Sequence, residues 1–401
     1  MKNVFPPMLA PSHARMDLEI ARGEGAWLFD TAGRRYLDFS SGIAVTLLGH
    51  AHPHLVESLC RAAQKPWHLS NFYRIADQER MAERLIDVSF ADRVFFCNSG
   101  AESVEGAIKA ARRTHFEEGS AGRVEIVTLT GAFHGRTLGA LAATGNEKYL
   151  EGFGPKAPGF RQIPAGDAAA LRDAVGPQTA AVLMEPIQGE GGVRPLGADY
   201  LRTARALCDE RGDLLIFDEV QCGMARTGRL FAHQWPDVEP DIMTLAKGIG
   251  GGFPLGAVLM RERVGQHIKP GTHGTTYGGN PLACAVGNAV LDMVLAPGFM
   301  EHVQAIGERL AHAVQRVINA HPDIYGSWRG QGLLTGIQCV APAAELLSVL
   351  RDLGLFATTA GDNVLRLTPP LDIDESHVAA AVTFLDQAAS VIRSTSETET
   401  A

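Results

Sequence analysis

The sequence predicts an α/β protein whose core is a mostly parallel sheet with helices on both faces. Short apolar runs alternate with helical segments through the middle of the chain, which is the pattern of parallel strands joined by crossover helices. The apolar runs end in polar or glycine-rich loops, as buried strands do. With 401 residues, 46% of them apolar and 20% charged, the chain has ordinary values for a globular protein of roughly two to three domains.

Residues 1–50 are predicted to form an N-terminal arm with a small hairpin. Two strand-like runs, 27–30 and 35–39, flank the turn signal Thr-Ala-Gly-Arg. We expect this arm to pack with the C-terminal part of the chain. Histidines alternate at positions 50, 52 and 54, but no Cys or acidic residue completes a site at zinc spacing. A turn is therefore expected there, and no metal.

Residues 51–296 are predicted to form the large domain, and residues 297–401 a small α+β domain after the interruption Ala-Pro-Gly298. In the large domain we expect helices over 54–65, 77–88, 101–113, 197–211 and 281–295, and strands over 94–97, 124–130, 180–185, 214–218 and 255–260. In the small domain we expect a helix to about 320, strands within 329–340 and 363–368, further helices, and a disordered polar tail from 396.

The composition argues against several classes of partner. The formal net charge is −9 and no basic block is present, so neither nucleic acid nor an anionic membrane surface is expected to bind. No apolar run reaches the roughly 18 residues of a membrane-spanning helix, and the first residues lack a signal-peptide core. Six cysteines occur without a Cys-x-x-Cys pair, which fits reduced thiols in a cytoplasmic protein. Small molecules are the expected ligands.

Two apolar runs each deliver one polar side chain into a loop. Asp218 closes the first run and Lys247 the second, at strand ends where open α/β sheets place their ligand crevices. A buried lysine is costly unless it is used or paired. The pattern therefore favours a lysine of lowered pKa that forms a Schiff base to pyridoxal phosphate, with Asp218 holding the pyridine nitrogen protonated. The simpler interpretation is a loop lysine that extends from a strand end to solvent.

A phosphate site is predicted at the start of the helix that follows the strand 94–97. Ser99, Gly100 and Ala101 lie at that N-terminus, where free N–H groups and the helix dipole favour an anion. Gly100 can equally be only a turn residue. The Gly/Thr-rich loop 273–282 also suits a phosphate, or is simply the turn before the next helix.

Four further side chains are candidates for the site. Phe133 could lie flat on a pyridine ring and Arg136 could bind a carboxylate through two hydrogen bonds. Alternatively, Phe133 belongs to the core and Arg136 is solvated. Arg366 lies mid-strand, as either a surface charge or the partner of a substrate carboxylate. Glu190 lies in a flexible glycine-rich turn.

Taken together, these motifs resemble those of the class III pyridoxal-phosphate aminotransferases, from about residue 20 to 390. The motifs, each ending at the numbered residue, are Ser-Gly-Ile-Ala-Val45, Gly-His-x-His-Pro53, Phe-Phe-Cys-Asn-Ser-Gly-Ala-Glu102, Phe-His-Gly-Arg-Thr137, Glu-Pro-Ile-Gln-Gly-Glu-Gly-Gly192, Asp-Glu-Val-Gln221, Ala-Lys-Gly248 and Gly-Gly-Asn-Pro-Leu-Ala283. The resemblance implies a fold-type I enzyme with a central seven-stranded sheet, working as a homodimer with active sites at the subunit interface.

By match to these motifs, the resemblance also implies how the cofactor is held. Lys247 is expected to be the Schiff-base lysine and Asp218 the partner of the pyridine nitrogen. Gln221 is expected to contact the phenolic oxygen of the cofactor and Phe133 to stack on its ring. The residues expected at its phosphate are Gly100 and Ala101, with Ser99 beside them, and Thr276 of the partner subunit.

The substrate positions and the reaction are implied in the same way. Arg136 and Thr275 correspond to positions that contact the α-carboxylate end of N-acetylornithine. Glu190 and Arg366 resemble a switch pair, in which the glutamate masks the arginine for one substrate and releases it for 2-oxoglutarate. The implied ping-pong reaction moves the terminal amino group of N2-acetyl-L-ornithine to 2-oxoglutarate, with Lys247 removing the proton. The products are N-acetyl-L-glutamate 5-semialdehyde and L-glutamate, a step of arginine biosynthesis.

Two other functions remain open from the sequence. Relatives on the same framework act on ornithine, succinylornithine, succinyl-diaminopimelate or 4-aminobutyrate, or are pyridoxal-phosphate aminomutases. From a different class, a nucleotide-binding oxidoreductase or a non-catalytic binding module is supported only by Gly248-Ile-Gly-Gly-Gly252, which lacks the Gly-x-Gly-x-x-Gly spacing.

Overall fold

The computed structural model describes the backbone of residues 3, 4, 6 and 8–400, and the side chains of residues 6 and 8–395. Within these residues the strands form one large sheet and four smaller ones. Two of the smaller sheets are two-stranded pairs: Asn3–Val4 with Arg15–Met16, and Ile187–Gln188 with Arg194–Pro195.

A seven-stranded sheet forms the centre of the molecule. Its strands lie in the spatial order Arg93–Cys97, Gly256–Met260, Ile242–Leu245, Leu214–Asp218, Thr179–Met184, Glu125–Leu129 and Phe160–Ile163. All run in the same direction except Gly256–Met260, which pairs antiparallel with both of its neighbours. The predicted α/β class with a mostly parallel, seven-stranded sheet is therefore confirmed.

Helices cover both faces of this sheet because its central strands are apolar on both sides. Along the strand that ends at Asp218, Leu214 packs in one buried cluster with the helix Gly100–Glu117. The next residue, Leu215, points to the opposite face and packs with the helix Ala198–Arg211. The α-helices are the short, irregular Ser41–Ala44, and then Pro53–Ala62, Ala76–Asp87, Gly100–Glu117, Leu138–Ala143, Ala168–Ala174, Ala198–Arg211, Glu262–Gly265, Pro281–Val294, Phe299–Ala320, Ala343–Leu353 and Glu375–Thr400.

The N-terminal arm shares a sheet with the C-terminal part of the chain. This sheet has the order Leu355–Phe356, Arg35–Asp38, Trp27–Asp30 and Ile20–Glu24, with Leu355 opposite Leu37 in a parallel pair. The other four-stranded sheet has the order Tyr325–Gln331, Leu334–Cys339, Val364–Leu367 and Thr358–Ala360. The arm and the C-terminal part are thus hydrogen-bonded to each other, while the domain limits at residues 50 and 296 stay a prediction.

The disorder expected for the C-terminal tail stays a prediction. The last helix, Glu375–Thr400, continues through the polar residues from 396 onward, and Ala401 lies outside the described residues. No Gly or Pro occurs after residue 374, so nothing in the sequence stops a helix that packing has already started.

Neither a membrane span nor a metal centre is evident in the described part of the chain. No single helix there is both long and apolar enough to cross a membrane, although the consecutive helices Pro281–Val294 and Phe299–Ala320, bent by 73° at their junction, together meet that test. Among the same residues no group of three or more His, Cys, Asp or Glu side chains is placed to hold a metal ion. In the predicted turn, His50 bonds to Asp38 at 2.8 Å.

Candidate active site

A cavity of about 430 Å³ opens at the carboxyl ends of the parallel strands, the edge at which open α/β sheets bind ligands. It is lined by residues from seven separate stretches of the chain. The predicted site residues that line it are Ser99, Gly100, Ala101, Phe133, Arg136, Asp218, Gln221 and Lys247. Positions scattered over about 150 residues of sequence are thus brought together at one edge of the sheet.

Asp218 is a buried carboxylate with donors on both oxygens, and its side chain is 3% exposed. Its Oδ2 lies 2.7 Å from Nδ1 of the buried His134. Its Oδ1 accepts from the hydroxyl of Thr244 at 3.1 Å and from the N–H of Val220 at 3.0 Å. Burial alone would lower the pKa of His134, but the hydrogen bond and charge of Asp218 outweigh it and raise that pKa. The result is a fixed negative charge at the cavity wall.

Lys247 follows the neighbouring strand and its side chain lines the cavity. Its φ of 49° is a left-handed conformation, which costs a non-glycine residue on the order of 1–3 kcal/mol. Burial and the nearby positive charge of Arg366 lower the pKa of Lys247, although the negative charge of Glu190 opposes them. A neutral amine is therefore accessible at this position closer to neutral pH than in a solvated lysine.

The helix Gly100–Glu117 points its N-terminus at the cavity. Ser99 is its N-cap, and the Ser99 hydroxyl accepts from a backbone N–H of the first turn at 3.3 Å. The N–H groups of Gly100 and Ala101 belong to the first turn, where a helix offers no internal acceptor, so they suit an anion. Close packing also explains the glycine, because a Cβ at Gly100 would lie 2.8 Å from Cγ1 of Val220.

Phe133 and Arg136 lie on the loop after the strand Glu125–Leu129. Phe133 is half-buried against the cavity, and its ring meets that of Tyr149 edge to face, with centroids 5.8 Å apart. Arg136 is exposed, with its guanidinium carbon 4.0 Å from the Tyr149 ring centroid. The loop thus presents an aromatic face to the cavity and a positive charge at its rim.

Arg366 and Glu190 form an ion pair beside the cavity. Arg366 is 1% exposed, and its Nη1 donates to Glu190 at 2.6 Å and to the side-chain oxygen of Gln221 at 3.0 Å. The interpretation of Arg366 as a surface charge is wrong, because both faces of the strand Val364–Leu367 are covered. Burial alone would raise the pKa of Glu190, but the charge and hydrogen bond of Arg366 outweigh it and lower that pKa.

Thr275 and Thr276 are not brought into the cavity of this chain. The Thr275 hydroxyl accepts from the N–H of Gly278 at 3.1 Å, and the Thr275 carbonyl accepts from the Asn71 side chain at 2.9 Å. Thr276 is exposed. Both threonines lie outside the cavity lining, although the Thr275 hydroxyl accepts at 3.5 Å from the side chain of Asn98, which lines the cavity.

Two buried groups at the cavity were not assigned a role from the sequence. His134 bonds to Asp218, and its Nε2 has no hydrogen-bond partner within the described structure. Glu185 follows the strand Thr179–Met184, and burial raises its pKa to about 7. Both residues belong to motifs that were already noted. Their positions in the sequence could have indicated a role, because His134 directly follows Phe133 and Glu185 comes at the end of a buried strand.

The comparisons with known proteins agree with this geometry. The class-III aminotransferase family model matches residues 8–389. Acetylornithine aminotransferase 1 of Bradyrhizobium diazoefficiens is 53% identical over 394 residues, which cover 98% of this chain and 97% of the relative. The solved N-acetylornithine aminotransferase from Stenotrophomonas maltophilia K279a is similar with a TM-score of 0.84 at 37% identity, covering 94% of this chain and 97% of that one.

A second solved structure connects the fold with the cofactor. The ornithine aminotransferase from Toxoplasma gondii, described with partial occupancy of PLP at its active site, is similar with a TM-score of 0.92 at 31% identity, covering 96% of this chain and 93% of that one. With the family model matched over nearly the whole chain, this protein belongs to the class-III aminotransferases and is a pyridoxal 5'-phosphate-dependent aminotransferase.

Proposed function

We propose that this chain moves the terminal amino group of N2-acetyl-L-ornithine to 2-oxoglutarate, giving N-acetyl-L-glutamate 5-semialdehyde and L-glutamate in arginine biosynthesis. Curated relatives named acetylornithine aminotransferase support this choice at 53% identity over nearly the full length. The observation that carries the proposal is the ion pair of Arg366 with Glu190. An arginine that can be masked suits a site that takes two substrates of different charge in turn.

The groups around the cavity fit pyridoxal phosphate. We assign Asp218 to the pyridine nitrogen, because a fixed buried carboxylate stabilises a proton there. Gly100 and Ala101 hold the phosphate through free helix N–H groups. Phe133 and Gln221 line the cavity, where Phe133 would lie against the ring and Gln221 would bind the phenolic oxygen. When bound, the cofactor withdraws electrons from the amine-bearing carbon and makes its C–H bond acidic.

Lys247 has two tasks in this proposal: it holds the cofactor covalently between turnovers and moves a proton during them. Its lowered pKa makes the neutral amine easier to reach than in a solvated lysine, and only a neutral amine can accept the proton from the substrate carbon. The same amine returns the proton to a different carbon. Its position on a strained turn at the strand end keeps it within the cavity.

Glu190 and Arg366 select between the two substrates. With Glu190 paired to it, Arg366 is neutralised and the cavity accepts the uncharged chain next to the terminal amine of N-acetylornithine. When Glu190 turns away, Arg366 is free to bind the carboxylate beside the keto group of 2-oxoglutarate through two hydrogen bonds. Arg136, at the cavity rim, binds the distal carboxylate end, together with Thr275 of the partner subunit.

Ornithine is the second candidate donor, because the ornithine aminotransferase from Toxoplasma gondii has a TM-score of 0.92 to this chain. The test is a single half-reaction: the absorbance of the loaded enzyme is followed while N-acetylornithine, ornithine or 4-aminobutyrate is added without a keto acid. We expect N-acetylornithine to bleach the cofactor absorbance fastest. If ornithine or 4-aminobutyrate bleached the absorbance faster, that compound would be the amino donor instead. Turnover without 2-oxoglutarate would indicate an aminomutase.

We further propose that the chain works as a homodimer, with Thr276 reaching the phosphate of the partner subunit's cofactor. Aromatic side chains are exposed around this threonine: Trp67, Phe72 and Tyr73 on one loop and Tyr277 beside it. Phe72 is 94% exposed, and a patch of this kind is typical of an interface. Analytical ultracentrifugation is expected to show a dimer, and an active monomer would contradict the proposal.

The proposed location is the cytoplasm. All six cysteines are free thiols in the structure, and five of them are buried, which supports a reducing compartment. Small molecules are the proposed partners, with neither nucleic acid nor a membrane. Cell fractionation with an epitope-tagged chain tests the location, and recovery outside the cytoplasmic fraction would contradict it.

A further inference from the structure

Glu185 is a buried acidic group that the proposed mechanism does not use. It stands directly after the strand Thr179–Met184, lines the cavity, and is 4% exposed. A buried carboxylate is costly unless hydrogen bonds satisfy it. Its contacts therefore indicate what it is for.

The two oxygens of Glu185 reach two different loops. Oε2 accepts from the N–H of Phe133 at 3.0 Å, and Oε1 accepts from the N–H of Gly189 at 3.2 Å. Phe133 is the residue proposed to lie against the cofactor ring, and Gly189 directly precedes Glu190. A second contact joins the same loops, because Nε2 of Gln188 donates to the carbonyl of Thr130 at 3.0 Å.

The loop at Gly189 is closely packed on one side. A Cβ at Gly189 would lie 2.1 Å from Oε1 of Gln221, so the bare backbone is packed directly on that side chain. Gln221 in turn accepts from Arg366 and donates to Glu190 at 3.4 Å. A displacement of the loop is therefore passed on to both members of the ion pair.

We propose that Glu185 is a positioning residue whose carboxylate clamps the loop of Phe133 to the loop of Glu190, so that the ring contact and the substrate switch are set together. This inference rests on the function proposed above for those two residues. Both oxygens are required, since each holds one loop. Glutamine at this position keeps one acceptor oxygen, but its NH2 group then faces the other backbone N–H, so that two donors meet. Aspartate keeps the carboxylate but is too short to span both loops.

The test measures binding of pyridoxal phosphate to the apoprotein by quenching of its fluorescence, which requires no substrate. Glu185→Gln and Glu185→Asp are each expected to weaken binding by roughly tenfold, the usual effect of removing a hydrogen bond to a charged group. The matched control is Asp241→Asn. Asp241 also accepts from a backbone N–H and an arginine, at 2.8 Å each, but at the start of the strands, away from the cavity. The Asp241→Asn substitution is expected to lower the melting temperature of the protein and to leave its affinity for pyridoxal phosphate unchanged.

A double-mutant cycle identifies the clamp. In a Phe133→Leu background, Glu185→Gln is expected to weaken binding by less than about threefold, because the contact it supports is already gone. Each Glu185 variant is also expected to change KM for 2-oxoglutarate more than kcat, through Glu190. The inference would be overturned if Glu185→Asp bound the cofactor with wild-type affinity. It would also be overturned if the fold-losses of Glu185→Gln and Phe133→Leu simply multiplied in the double mutant. These outcomes do not depend on which amino donor the wild-type enzyme prefers.

Discussion

Asp218 and Glu190 are acidic side chains close to the same cavity, and the structure holds them in different ways. Asp218 is 3% exposed and receives donors from a backbone N–H, a hydroxyl and a buried histidine. Glu190 is 25% exposed and is held by the side chains of Arg366 and Gln221. Rigid donors keep a charge where a reaction always needs it, whereas flexible ones allow a charge to be exchanged between substrates. We therefore propose that the cavity has a fixed end at Asp218 and a switchable end at Glu190.

The largest effect is expected at Lys247, which serves both ends. Lys247→Ala removes the covalent link and the proton acceptor together, so turnover is expected to fall by roughly 10⁴-fold or more. Circular dichroism is expected to show an unchanged fold, and Lys65→Ala, at an exposed lysine, is expected to keep full activity. Appreciable turnover by Lys247→Ala would remove the basis of the proposed mechanism.

The fixed end is tested by Asp218→Asn. The amide cannot stabilise a protonated pyridine nitrogen, so kcat is expected to fall by roughly 10³-fold with both substrates alike. Asp213→Asn is the matched control, since Asp213 is also a buried carboxylate but pairs with Arg123 away from the cavity. The Asp213→Asn variant is expected to be less stable than the wild type and to have an unchanged kcat. A loss confined to one half-reaction in Asp218→Asn would mean that this end is not fixed.

The switchable end is tested by Glu190→Gln, measured as two separate half-reactions in stopped flow. Glutamine leaves the charge of Arg366 unmasked, so the reaction with N-acetylornithine is expected to weaken by about tenfold in kcat/KM. The reaction with 2-oxoglutarate is expected to stay within about twofold, because its carboxylate supplies the missing charge. Equal losses in both half-reactions would show that Glu190 is no switch.

The smallest effect concerns Glu185, which joins the loop of Phe133 to the loop of Glu190. Burial raises its pKa to about 7 from 4.5, so between these values the folded protein binds a proton that the unfolded chain does not. Its contribution to stability is therefore present at low pH and is lost as the pH rises through about 7. Relative to wild type, Glu185→Gln is expected to gain about 1–2 kcal/mol in free energy of unfolding from pH 5 to 7.5. Urea unfolding across this range measures the difference, and a constant difference would contradict the raised pKa.

Some of these features could be predicted from the sequence, and others could not. Asp218 and Lys247 could be predicted to lie close together, because the carboxyl ends of parallel strands meet at one edge of the sheet. The burial of Arg366 was not predictable from alternation, since that rule assumes that one face of the strand is open to solvent. Glu185 was missed because its partners Phe133 and Gly189 come from separate loops that meet only in the fold.

The most direct test of the fixed end is the ¹⁵N chemical shift of the pyridine nitrogen in enzyme loaded with labelled cofactor. With Asp218 held by rigid donors, the nitrogen is expected to stay protonated from about pH 6 to about pH 9, both before and after amino transfer from N-acetylornithine. Asp218→Asn is expected to lose the proton within this range. A wild-type nitrogen that titrates in this range, or whose protonation changes with the amino transfer, would contradict a fixed charge at Asp218.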